Sequence, residues 1–158
     1  MFTAKLTKEC TQFKPSLALT VLQLLQARRV LDFSAGWGDR LLGAIAHDGL
    51  ERYLAFDPNP ALQEGHNAMI NTLVPEADRG RYTVLCSHAQ TAEIPEGSTF
   101  DLLFTSPPFF NFEIYTHAKG QSVQEYTGFE AWLVKFLFGM LSRYAECYII
   151  SFGLFGWL

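Results

Sequence analysis

The chain has 158 residues, 49% of them apolar and 18% charged, with a formal net charge of −4. That supplies one domain with a core of its own and excludes a disordered chain. No apolar run is long enough to span a bilayer, and the amino-terminal MFTAKLTKEC lacks the apolar centre of a secretory signal, so a soluble, cytoplasmic protein is expected.

In chain order, KPSLALTVLQLLQA (14–27) reads as a helix, with Pro15 at its start and Leu17, Val21, Leu24 and Leu25 on one face. RRVLDF is a short apolar strand that runs into SAGWG, and DRLLGAIAHDG is a helix closing at Gly49. RYLAFD is a second strand and PALQEGHNAMINTL a second helix, stopped before Pro75. RYTVLCS and TFDLLFTS are the third and fourth strands. GFEAWLVKFLFGMLSRYA is a long helix with Trp132, Phe136, Leu137 and Met140 as a core stripe, and CYIISF is a fifth strand. Strands that are nearly continuous apolar runs, alternating with helices, predict a parallel sheet covered on both faces. The segments Val74–Arg81 and Ala92–Ser98 are too short to separate domains. The expected organisation is a single domain over 1–158, with a helical segment at 1–29 and an α/β core at 30–158. The sequence stops at Leu158, a few residues past the fifth strand, where many chains of this plan continue, and a C-terminally truncated domain is one reading of it.

The cysteines Cys10, Cys86 and Cys147 are scattered, with no CxxC pair, and read as reduced core thiols. The histidines His47, His66, His88 and His117 show no ligand spacing, so no metal is expected.

Two features carry chemistry. In VLDFSAGWGDR, Gly36 and Gly38 lie between a buried strand and a helix, where glycine lets the backbone turn tightly and approach a ligand. Asp57 ends the next strand, 19 positions after Gly38, where an α/β nucleotide site places a carboxylate for the ribose hydroxyls. A dinucleotide fingerprint would need a third glycine where Leu41 stands, and Asp32 ahead of the turn would repel a pyrophosphate but suit an amine or sulfonium. These residues fit S-adenosylmethionine better than a nicotinamide dinucleotide. Asp32 reads alternatively as a turn or capping carboxylate, and Asp57 as an ordinary Asp-Pro turn. After the third strand, His88, Ala89 and Gln90 can flank a nucleotide base, or form a solvated loop.

The second feature is Ser106-Pro107-Pro108-Phe109, which closes the fourth strand. Two prolines stiffen the loop and remove two N–H donors, leaving carbonyls to face a ligand. Ser106 Oγ and the Pro107 carbonyl can hold a planar NH2 group, and Phe109 can stack on the ring that carries it. The alternative is a simple strand terminator with Phe109 and Phe110 in the core.

Glycine turn, acid and SPPF in this order resemble the class I S-adenosylmethionine-dependent methyltransferases. SPPF resembles the Asp/Asn/Ser-Pro-Pro-aromatic signature of the amino-methyltransferases, and its serine is most like the N4-cytosine type. The resemblance covers about Val30 to Phe152. It implies a Rossmann-like three-layer sandwich with a mostly parallel, doubly wound sheet. It implies that Asp32, Ser34, Gly36, Gly38 and Asp57 hold the cofactor, and that Ser106, Pro107, Pro108 and Phe109 orient the target amine. TQFKPSLAL resembles the family's amino-terminal element, which would bring Thr11 or Lys14 toward the cofactor carboxylate.

The substrate is open. Nine of the twelve Lys and Arg residues precede position 82, and from Asp101 onward three bases face five acids. A chain that grips nucleic acid unaided is usually basic, and no segment has the size of a target-recognition region. Three readings follow. One is an amino-methyltransferase for a nucleic-acid base, with a partner or a missing segment. The second is a methyltransferase for a small-molecule or protein amide nitrogen, and the third a non-catalytic cofactor-binding module. Asn111, Glu113, Tyr115, Gln121 and Tyr126 would line a substrate entrance or form a lid, the alternative being a solvated loop, and Trp37 would pack under the turn or close over the cofactor.

Overall fold

The computed structural model describes residues 12–108, 125–126, 128–145 and the strand 151–154. Five parallel strands, β1 (Arg29–Asp32), β2 (Arg52–Asp57), β3 (Tyr82–Cys86), β4 (Leu102–Thr105) and β5 (Ser151–Leu154), form one sheet in the order β3-β2-β1-β4-β5. The helices are α1 (Pro15–Leu24), α2 (Asp39–Ile45), α3 (Pro60–Leu73) and α4, which runs through Phe129–Ala131, a π-helical stretch Trp132–Phe138, and Gly139–Ala145. A 3₁₀ turn, Glu76–Arg81, leads into β3.

Alternation along the strands builds three layers. On one face Val30, Tyr53, Ala55, Val84, Leu102 and Phe104 pack with Ala18, Val21, Leu22, Leu41 and Ile70 of α1 to α3. On the other, Leu31, Leu54, Phe56 and Leu103 pack with Trp132, Phe136, Met140 and Tyr144 of α4. Each fully buried Leu or Phe contributes about 1.5–3 kcal/mol relative to exposure. The core stripe of α4 is as expected at Trp132, Phe136 and Met140, with Leu137 partly buried; its fourth buried side chain is Tyr144, stacked on Phe33 and Phe56.

The bounds of β2 and α3 are those read from the sequence. Helix α1 ends three residues early, at Leu24. Gln26 adopts a left-handed φ of 50°, while its N–H bonds Gln23 O and the Ala27 N–H bonds Leu22 O. This is a Schellman close made with glutamine in place of glycine. Helix α2 ends at Ile45, not at Gly49, and the chain turns back so that Leu50 enters the core. Helices α1 and α2 meet where Gly43 lies: a Cβ there would come within 2.5 Å of the Ala18 Cβ and 2.9 Å of the Leu19 N and Pro15 O atoms. Of the three cysteines only Cys86 is described, and it is exposed at the end of the edge strand β3 rather than in the core. Among the described residues no helix is long and apolar enough to cross a membrane.

Candidate functional site

Because β1 lies between β2 and β4, the connections leave it in opposite directions, and the carboxyl ends of β1 and β4 form the switch point at which ligands of open α/β sheets bind. The glycine turn and the Ser-Pro-Pro loop flank this point.

The turn needs glycine at both positions: Gly36 has φ 57° and Gly38, the residue ahead of α2, φ 91°. At Gly38 a Cβ would also lie 3.0 Å from Met69 Sδ and 3.2 Å from His66 Cδ2. The Gly36 peptide is held from both sides. Its N–H donates to Asp57 Oδ2 at 2.8 Å, and its carbonyl lies 2.8 Å from Nε2 of the buried His66, which must carry the hydrogen because a carbonyl only accepts. The other Asp57 oxygen accepts the Asn59 N–H at 3.0 Å. Burial raises the Asp57 pKa above the usual carboxylate value, against the lowering effect of the two backbone N–H bonds.

Asp32 is turned into the protein and its carboxylate is taken up by protein donors, against the expectation that it meets a cationic ligand. It is 0% exposed. Its carboxylate accepts Arg40 Nε at 2.8 Å, the Tyr53 hydroxyl at 2.9 Å and its own turn's Ser34 N–H at 3.0 Å. Arg40, from the first turn of α2, folds back under the glycines, bonds the Ser34 carbonyl, and places its guanidinium 5.6 Å from the Phe13 ring centre. Burial works against the Arg40 charge, but the Asp32 carboxylate more than offsets it and the Arg40 pKa is raised. Tyr53 is held well above the usual phenol value by burial and by the adjacent Asp32, so it remains a donor.

Ser34 is also redirected. Its hydroxyl bonds Thr105 Oγ1 at 2.6 Å and the Ser106 carbonyl at 2.8 Å, joining the glycine turn to the end of β4. Ser106, Pro107 and Pro108 are partly exposed. His88 is partly exposed; Ala89 is buried, and its carbonyl accepts the Tyr144 hydroxyl at 2.5 Å. That segment is therefore pinned by α4. Trp37 is 44% exposed beside the glycines. Phe109, Phe110, Thr11, Asn111, Glu113, Tyr115 and Gln121 lie outside the described residues; Tyr126 is partly buried against α4. A shallow depression lined by Gln23, Gln26, Arg28, His47, Asp48 and Gly49 lies at the amino end of β1, away from all of these groups.

The site thus gathers Ser34, Gly36, Gly38, Asp57 and Ser106 around one strand end. Arg40, Tyr53, His66 and Thr105 are additions that sequence reading missed. Nothing in the spacing singles them out: Tyr53, His66 and Thr105 act on partners 21, 30 and 71 residues away, and Arg40 folds back across the turn to Asp32, eight residues before it.

Solved structures share this architecture. MtfA, a glycopeptide N-methyltransferase, superposes with a TM-score of 0.54 at 16% identity, over 84% of this chain and 51% of its own. A conserved hypothetical protein of Streptococcus pyogenes superposes with a TM-score of 0.53 at 18% identity, over 84% of this chain and 68% of that one. The methyltransferase domain of bacterial-CtHen1-CN gives a TM-score of 0.49 at 20% identity, over 60% of this chain and 49% of its own. The chain spans about half the length of the two methyltransferases. At these identities the likeness shows the fold, a Rossmann-like α/β domain of the kind found in MtfA. No family model and no curated protein matches the sequence.

Proposed function

We propose that the chain is an S-adenosylmethionine-dependent methyltransferase domain acting on an exocyclic amino nitrogen, in the first instance that of a nucleic-acid base. The observation that carries this reading is the junction at the strand reversal, where the Ser34 hydroxyl ties the glycine turn to Thr105 and Ser106. A cofactor site on one side and an amine site on the other would meet there.

The residues present fit the cofactor. Each Asp57 oxygen takes one backbone N–H and keeps a further lone pair for a ribose hydroxyl. The left-handed glycines leave the turn free of side chains that would keep a ligand away. Asp57, Gly36 and Gly38 would hold the nucleoside, with His88 and Ala89 beside the base. The cofactor supplies a methyl group already activated by a sulfonium. The protein's part is then positioning. Ser106 Oγ and the Pro107 carbonyl accept from the amine, turn its lone pair out of conjugation, and favour the positive charge that develops on nitrogen. Phe109 stacks on the ring. The prolines hold these acceptors still. Neither a metal nor a strong acid is required of the protein. A base in a duplex would have to be flipped out.

The net charge of −4 favours a second reading, in which the amine belongs to a small molecule or a peptide and no polyanion is gripped. A partner that reads the target would reconcile the first reading with that charge.

Calorimetry with S-adenosylmethionine on the wild type and on Asp57→Ala tests the cofactor. Labelled-methyl transfer to cytosine- and adenine-containing oligonucleotides, against small amines and peptides, tests the substrate. Saturable binding lost in the variant, with label on an exocyclic nitrogen, is expected. A folded wild type that shows no saturable binding would sink the proposal.

A further inference from the structure

We propose that Ser34 is a positioning residue that couples the glycine turn to the Ser-Pro-Pro loop, so that occupancy of the turn by a nucleoside ligand is transmitted to the Ser106 hydroxyl and the Pro107 carbonyl that hold the amine. This rests on the methyltransferase reading above, and it removes Ser34 from the cofactor's own ligands.

The hydrogen-bond directions follow from the chemistry. Ser34 has a single hydroxyl hydrogen. The Ser106 carbonyl, 2.8 Å away, can only accept it. At the 2.6 Å contact with Thr105 the donor must then be Thr105 Oγ1. The result is a directed chain, Thr105 O–H to Ser34 O–H to Ser106 O=C, in which each bond polarises the next. Thr105 is 1% exposed, so water does not compete for its hydroxyl.

Two members of this chain, Ser34 and Thr105, are anchored through their backbones. The Ser34 backbone is fixed on each side, its N–H by Asp32 Oδ1 and its carbonyl by Arg40 Nη2, and these two buried side chains form an ion pair. Thr105 is the last residue of β4, held by parallel pairing to β5. What the chain orients is the Ser106–Pro107 peptide. Pro107 and Pro108 have no N–H with which to secure themselves, so the bond to the Ser106 carbonyl sets how the loop leaves the strand. Two residues after Ser34 the same turn is gripped at Gly36, whose N–H donates to Asp57 and whose carbonyl accepts from His66, so a ligand seated on Gly36 acts on a backbone continuous with Ser34.

The test compares wild type with Ser34→Ala, Thr105→Val and Thr105→Ser, using S-adenosylhomocysteine as the probe, calorimetry for affinity and backbone NMR for the Ser106 amide. Ser34→Ala and Thr105→Val are expected to shift the ligand-free Ser106 amide and to abolish its response to the probe. Thr105→Ser, which keeps the hydroxyl, should restore both. Affinity should stay within about threefold of wild type, since a lost bond to a charged end of the ligand would weaken it by about tenfold or more. A loss of that size with an unmoved Ser106 amide would make Ser34 a cofactor ligand and overturn the proposal. So would an unchanged Ser106 amide in both disruptive variants, which a merely structural role elsewhere in the fold also predicts. If the folded wild type does not bind the probe, the transmission falls together with the methyltransferase reading, while the ligand-free Ser106 comparison still decides the cross-link by itself.

Discussion

Replacing Arg40 by Met removes the buried support of the glycine turn while keeping most of its packing. The Met side chain still fills the space beside Phe13, where the Arg40 guanidinium lies 5.6 Å from the ring centre. What disappears is the charge. Asp32, at 0% exposure, is left with the Ser34 N–H and the Tyr53 hydroxyl as partners. Removing one member of a buried pair costs about 3–5 kcal/mol, because the other charge stays buried and uncompensated. The two surviving donors pull the value toward the lower end, and the lost bond to the Ser34 carbonyl pushes it back up. For a chain of this size about 4 kcal/mol lowers the Tm by roughly 8–16 °C. Thermal and urea unfolding followed by circular dichroism should be run on wild type, Arg40→Met, Asp32→Asn and the double variant. Once Arg40 is gone the Asp32 charge is a liability, so the double variant should be at least as stable as Arg40→Met. A loss below about 1 kcal/mol in Arg40→Met, or a double variant that loses both single effects in full, would refute the argument that these groups act as one coupled unit.

Gly43→Ala should destabilise, because its methyl would enter a backbone contact at 2.9 Å and meet the Ala18 Cβ at 2.5 Å. Overpacking costs about 1–3 kcal/mol and outweighs the helix-propensity gain of about 1 kcal/mol. Gly65→Ala in α3, where an added Cβ meets nothing within 4 Å, is the control and should stabilise by about 0.5–1 kcal/mol in the same urea titration. Asp57 gives a pH signature. Its folded pKa is raised by burial above 3.8, so its charge opposes folding: that cost appears as pH rises through this window and is relieved as pH falls below it. Asp57→Asn should therefore flatten the stability profile there. S-adenosylmethionine binding should weaken on acidification as the carboxylate that accepts ribose hydroxyls protonates; calorimetry across that window showing no weakening would exclude Asp57 as the acceptor.

The sequence by itself was sufficient for the plan of the fold. Continuous apolar runs separated by helical periodicity specify a two-sided parallel sheet, because burial on both faces leaves no polar alternation. The bounds of β2 and α3 were legible for a local reason: Arg52–Asp57 is an apolar run closed by Asp-Pro, and Pro60 and Pro75 bracket the helix. Gly36, Gly38 and Asp57 were legible because a left-handed turn and a strand-end acid leave marks in adjacent residues. Local rules failed where an end was closed by unexpected chemistry, as with the left-handed Gln26 at the close of α1. The direction of Asp32 was decided only by the tertiary structure. An acid at a strand end can face a ligand or the core, and what settles it is Arg40 returning from eight residues on and Tyr53 arriving from 21 residues on. The same holds for Ser34, whose partner Thr105 is 71 residues away. Hydrogen bonds between distant residues have no periodicity to read. They exist only once the sheet has set β4 beside β1, and so the turn could be found in the sequence while the structure alone shows what holds it.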